Sequence, residues 1–133
     1  MGWNGMRKIT IKVDDKWSIV LFVNVDYDRY DIVESALTDI LAPASVINAI
    51  YNEIGYCYDS GFTYSNPDYR SSVVGINKAT SKEELLDTVI HEIDHVQSDI
   101  CDYYGIDLNS ETAAYLIGDL ARSFYKACSN CFC

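Results

Sequence analysis

The sequence predicts an α+β domain in which helices pack on a small mixed or antiparallel sheet. Three observations lead there. Apolar residues alternate with period two near the N-terminus, the strand signal, and a short apolar segment at 71–77 reads as another strand. They recur at helical spacing, with capping residues in place, over about 81–104 and 110–126. Finally, 133 residues suit a single core. Residues 1–127 read as one domain and 128–133 as a Cys-rich tail, with no internal repeat or linker.

Residues 8–25 form a predicted hairpin. Ile9, Ile11 and Val13 alternate with polar residues, Asp14-Asp15 turns the chain, and Ser18 to Val25 returns as a more buried strand. Asp28 or Asp31 is placed to cap a helix to about Leu41, and Pro43 ends it or opens a second helix at about 44–54. Residues 55–69, rich in Gly, Tyr, Ser, Asn and Asp, read as irregular, and Ser71 to Asn77 as a short strand. Ser81 with Glu84 makes a capping box for a helix that Gly105 stops after Tyr104. A last helix is expected from Asn109 or Ser110 to about Lys126. Two strands, a helical block, one strand and two closing helices describe helices laid on a small sheet.

Composition bounds the function. The chain is 49% hydrophobic and 23% charged, an ordinary globular balance. Its formal net charge of −10 and ten scattered basic residues argue against nucleic acid, which needs clustered cations. An acidic surface favours metal ions or basic polypeptide. The longest apolar run, Ile19 to Val23, is too short for a membrane span, and the start lacks a secretory pattern, so a cytoplasmic location is expected. Five cysteines, an odd number, read as reduced thiols.

The chemistry gathers in His91-Glu92-Ile93-Asp94-His95. Residues four apart share a helix face, so His91 and His95 project side by side, and imidazole is a good zinc ligand. They are the only two histidines in the chain. Glu92, about 100° round the helix, is placed to act as general base on a zinc-held water, whose pKa the metal lowers to about 7. Leu86, Val89, Ile93, Val96 and Ile100 form the apolar stripe, and both histidines fall almost opposite it, alongside Asp87, Ser98 and Asp102.

A catalytic zinc takes three protein ligands. With no third histidine, the remaining one must be a carboxylate or thiolate, and Glu111 is the choice. It lies sixteen positions after His95 in the first turn of the last helix, on a stripe with Tyr115, Gly118 and Arg122, opposite the apolar face of Ala113, Leu116, Ile117, Leu120 and Phe124. Ala114 and Gly118 would let the two helices approach. If the metal helix does run to Tyr104, its end lies roughly 13 Å beyond His95, and the loop must bring Glu111 back by that distance. Asp99, Asp102, Asp107 and Cys101 are the fallback ligands.

The His-Glu-x-x-His motif followed by Ser110-Glu111-Thr112-Ala113-Ala114-Tyr115 resembles the gluzincin class of zinc metallopeptidases. More narrowly, it resembles the small single-domain metallopeptidases of bacteriophages and bacteria. The resemblance covers about 71–126 and implies a zincin-like core, with His91, His95 and Glu111 as zinc ligands and Glu92 as base and proton shuttle. It also implies an edge strand before the metal helix on which an extended substrate pairs, a position matched by Val73, Val74, Gly75 and Ile76. Asp94 stands where the class usually has a small residue, and either supports a zinc-bound histidine by a hydrogen bond or is a solvated carboxylate. Tyr115, Arg122 or a tyrosine among 56, 58, 64 and 69 is left to stabilise the oxyanion.

The leading expectation is zinc-dependent peptide-bond hydrolysis acting on a polypeptide, in host cytoplasm or a virion if the chain is phage-encoded. The alternatives are a zinc-containing structural or binding protein, such as a phage particle component, and an amidase acting on a cell-wall peptide. Cys128, Cys131 and Cys133 offer three thiolates without a clear fourth ligand and read as a reduced terminus, with Cys57 and Cys101 as small buried hydrophobes.

Overall fold

Asp14 and Asp15 both take the left-handed backbone that a tight hairpin needs, φ 49° and 58°. They join β1 (Arg7–Val13) to β2 (Trp17–Val25), paired antiparallel. The computed structural model describes residues 5–54 and 58–129. After the hairpin come α1 (Tyr30–Asp39), α2 (Ala44–Ile54), β3 (Gly61–Asn66), β4 (Ser71–Asn77), α3 (Lys82–Tyr104) and α4 (Glu111–Cys128). The fold is α+β, built on a four-stranded mixed sheet in the order β1-β2-β4-β3. None of the helices is long and apolar enough to cross a membrane among the described residues.

Both faces of the sheet are covered. Ile11, Trp17, Ile19, Leu21, Val23, Val74 and Ile76 pack against α3 and α4 through Val89, Ile93, Val96, Leu116, Leu120 and Phe124. Phe22, Val25, Phe62 and Val73 pack against α1 and α2 through Val33, Leu37, Ile50 and Ile54. Burial on both sides explains why β2 reads as a near-continuous apolar run. Val23 and Val25 face opposite layers because a bulge at Asn24, φ 57°, shifts the register between them.

Several expectations need correction. The segment 55–69 is not wholly irregular, since β3 occupies Gly61–Asn66. Consequently β4 is no edge strand: it pairs with β2 in parallel on one side and with β3 antiparallel on the other. Val73, Val74, Gly75 and Ile76 therefore have no free backbone edge, which on this side belongs to β3. Neither Asp28 nor Asp31 caps α1; Asp26 instead accepts the Asp28 amide at a preceding 3-10 turn. Cys128 closes α4 inside the core rather than opening a tail. Cys57, Cys131 and Cys133 lie outside the described residues.

Helix α3 follows the expected limits. Ser81 accepts the Glu84 amide at its start, and Gly105, φ 67°, turns the chain at its end. Leu86 departs from the anticipated stripe and is exposed, as is Ile117 on α4.

Candidate metal centre

The histidine pair lies on the exposed face of α3, with the two Nε2 atoms 3.2 Å apart. Two zinc–nitrogen bonds of about 2.0–2.1 Å at a tetrahedral angle place their nitrogens roughly 3.3–3.4 Å apart. The pair is thus spaced as a chelate. The same spacing allows one ring N–H to donate to the other ring's bare nitrogen, so the rings can hold this geometry with or without an ion.

Next to the pair, Glu92 is buried at 2% exposure. The 100° step from His91 turns it towards β3, where the Thr63 hydroxyl donates to its Oε1 at 2.8 Å. Gly61 leaves room for it: a Cβ there would sit 3.0 Å from Glu92 Cγ and 2.4 Å from the Gly75 carbonyl oxygen. Burial raises the Glu92 pKa above the ordinary carboxylate range, opposed by the Thr63 hydrogen bond and both histidines, and reinforced by the charge of Glu53.

These groups line a cleft along the free edge of β3. One lobe of about 310 Å³ runs between α2 (Val46, Ala49, Ile50, Glu53) and α3 (His91, Glu92, His95), floored by Gly61, Phe62 and Thr63. A second lobe, about 220 Å³, continues past Gly61 to Asp59, Ser60, Asp87 and Thr88. Thr88 Oγ1 is buried there without a hydrogen-bond partner. A larger apolar groove of about 470 Å³ between α3 and α4, lined by Leu86, Val89, Ile90 and Tyr125, lies on another flank of α3 and includes neither histidine.

Tyr56 lies outside the described residues, and of the other anticipated residues none that the structure describes joins the pair. Among the described residues no group of three or more His, Cys, Asp or Glu is close enough to hold a metal, so Glu111, Asp99, Asp102, Asp107 and Cys101 do not stand beside the histidine pair in this arrangement. The reason is the side of α3 that α4 covers. Gln97 donates to the Ala113 carbonyl at 3.0 Å, and Gln97 lies two residues, about 200° of helix, beyond His95. Glu111, Tyr115, Gly118 and Arg122 form a stripe as anticipated, but it faces solvent. Tyr115 is 73% exposed, and Arg122 pairs with Asp119 beside β1. Neither is placed to stabilise an oxyanion at the cleft. Asp94 is exposed, and Asp99 accepts from Ser65 at 2.6 Å. Glu53, Gly61 and Thr63 were missed by the sequence reading. The alternation of Phe62 and Tyr64 with Thr63 and Ser65 is a strand signal that the surrounding Gly and Asn obscured.

No family model, curated protein or solved structure matches the chain.

Proposed function

We propose that the chain is a zinc-dependent hydrolase of peptide bonds, with His91 and His95 as metal ligands and Glu92 as general base. The observation that carries this reading is the chelate spacing of the two Nε2 atoms, 3.2 Å, beside a buried carboxylate one residue after the first histidine. Zinc, when bound, supplies Lewis acidity that polarises the scissile carbonyl. Glu92 takes the proton of the attacking water and delivers it to the leaving amine, a role suited by a carboxyl whose pKa burial has raised. Thr63 fixes that carboxyl through Oε1. The free edge of β3, rather than β4, offers unpaired backbone groups along the cleft to an extended polypeptide.

A second reading, a zinc-containing structural or binding protein without turnover, is favoured by the position of Tyr115 and Arg122 away from the cleft. One comparison separates the two. Wild type and Glu92→Gln are measured for zinc per chain and for cleavage of a peptide library. Stoichiometric zinc in both with cleavage in wild type alone supports the hydrolase. Stoichiometric zinc without Glu92-dependent cleavage supports the second reading, and no zinc in either ends both.

A further inference from the structure

We propose that Glu53, in the last turn of α2, is the third protein ligand of the metal held by His91 and His95, an inference that rests on the metal-binding reading above. The cleft has two walls. His91 and His95 stand on the α3 wall, and Glu53 is the carboxylate that the α2 wall contributes to the same lobe. Asp59 and Asp87 line the other lobe, which includes His91 but not His95, and Asp59 already accepts the Thr80 amide and hydroxyl. Glu111 sits on α4, whose contacts with α3 lie far round the helix from the histidines.

Electrostatics point the same way. A carboxylate in the last turn of a helix faces the negative end of the helix dipole and is disfavoured there. Glu53 occupies that position in α2, and no basic residue accompanies it. Among the described residues the ion pair formed is Arg122–Asp119, on another part of the surface, so no lysine or arginine there pairs with either Glu53 or Glu92. Two carboxylates and a helix C-terminus thus border the same lobe as two imidazole nitrogens already at chelate spacing, an arrangement that a divalent cation relieves.

Glu53 is exposed and engages no hydrogen-bond partner among the described residues that would restrain it. Three donors are not yet assembled in this arrangement, so binding draws the glutamate side chain across the cleft. Because α2 and α3 cover opposite faces of the sheet, the metal would then tie the two layers together over the free edge of β3.

The test measures zinc affinity by competition with a chromophoric chelator, and the visible spectrum of added Co²⁺, on the full chain. Wild type, Glu53→Gln, Glu53→His and Glu111→Gln are compared, with circular dichroism to verify folding. Glu53→Gln is expected to lose at least about tenfold in zinc affinity, since groups that merely support ligands already contribute about 10–100-fold. It should also lose the intense tetrahedral Co²⁺ bands. Glu53→His restores both by supplying another ligand, and Glu111→Gln matches wild type. Wild-type affinity and spectrum in Glu53→Gln overturn the assignment while leaving the metal site standing, as does a loss confined to Glu111→Gln. Absence of zinc binding in wild type itself overturns the metal reading and this assignment together.

Discussion

The hydroxyl of Thr63 donates to Oε1 of Glu92 across 2.8 Å, linking the free edge strand β3 to the helix that bears both histidines. It is a hydrogen bond to a buried carboxyl, and its removal leaves an acceptor unsatisfied. Thr63→Val, nearly isosteric, should lower stability by about 1–3 kcal/mol, whereas Thr63→Ser should be milder because it keeps the donor. Urea denaturation of the three proteins decides this, and equal midpoints for Thr63→Val and wild type would refute it.

Two glycines should respond in opposite directions to the same change. At Gly61 an added Cβ would meet the Gly75 carbonyl at 2.4 Å and the Glu92 side chain at 3.0 Å, so β3 must shift. Gly61→Ala should therefore destabilise by about 1–3 kcal/mol. Gly118 lies inside α4 with open space around it, so the close helix approach expected there does not occur. Gly118→Ala should stabilise by about 1 kcal/mol through helix propensity. Thermal melts that move the same way for both variants would contradict the packing described for β3 and α4.

Tyr30 supplies a pH dependence. Its hydroxyl donates to the Ile47 carbonyl at 2.5 Å, joining α1 to α2. Burial, followed by the charge of Glu34, pushes its pKa up from 10.0 to about 12. A raised pKa in the folded state means stability present below the unfolded value and lost as pH rises through the folded one. Between about pH 10 and about pH 12 the unfolded tyrosine ionises while the folded one resists, so wild type weakens. Tyr30→Phe lacks both this loss and the hydrogen bond, so its stability deficit near pH 8 should shrink near pH 11. Denaturation curves at those two pH values show the effect; a constant deficit would argue against a protected phenol.

Zinc should raise the melting temperature of wild type, by an amount equivalent to about 2.7 kcal/mol when free metal is about a hundred times the dissociation constant. His91→Ala and His95→Ala should each abolish the shift, because either leaves a single imidazole on that face of α3. Differential scanning fluorimetry with and without zinc reads this directly. A full shift in His91→Ala would place the metal elsewhere.

The sequence by itself determined those features whose causes are local. A short apolar segment marked β4 over Ser71–Asn77, Pro43 opened α2 over Ala44–Ile54, and Ser81 and Gly105 bracketed α3 as anticipated. Helical spacing likewise brought His91 and His95 to one face, with Glu92 turned about 100° aside. What surrounds that motif is non-local, and only the tertiary structure decided it. Strand order follows from which surfaces pair over long sequence distance, so β4 proved internal and the edge passed to β3, hidden in a Gly- and Tyr-rich stretch. Helix α4 covers the flank of α3 bearing Gln97, since Ala113, Leu116, Leu120 and Phe124 must be buried there, and that packing turns Glu111 to solvent. Glu53 enters the cleft from the opposite side of the sheet, 38 positions before His91, a proximity that no periodicity in the chain encodes.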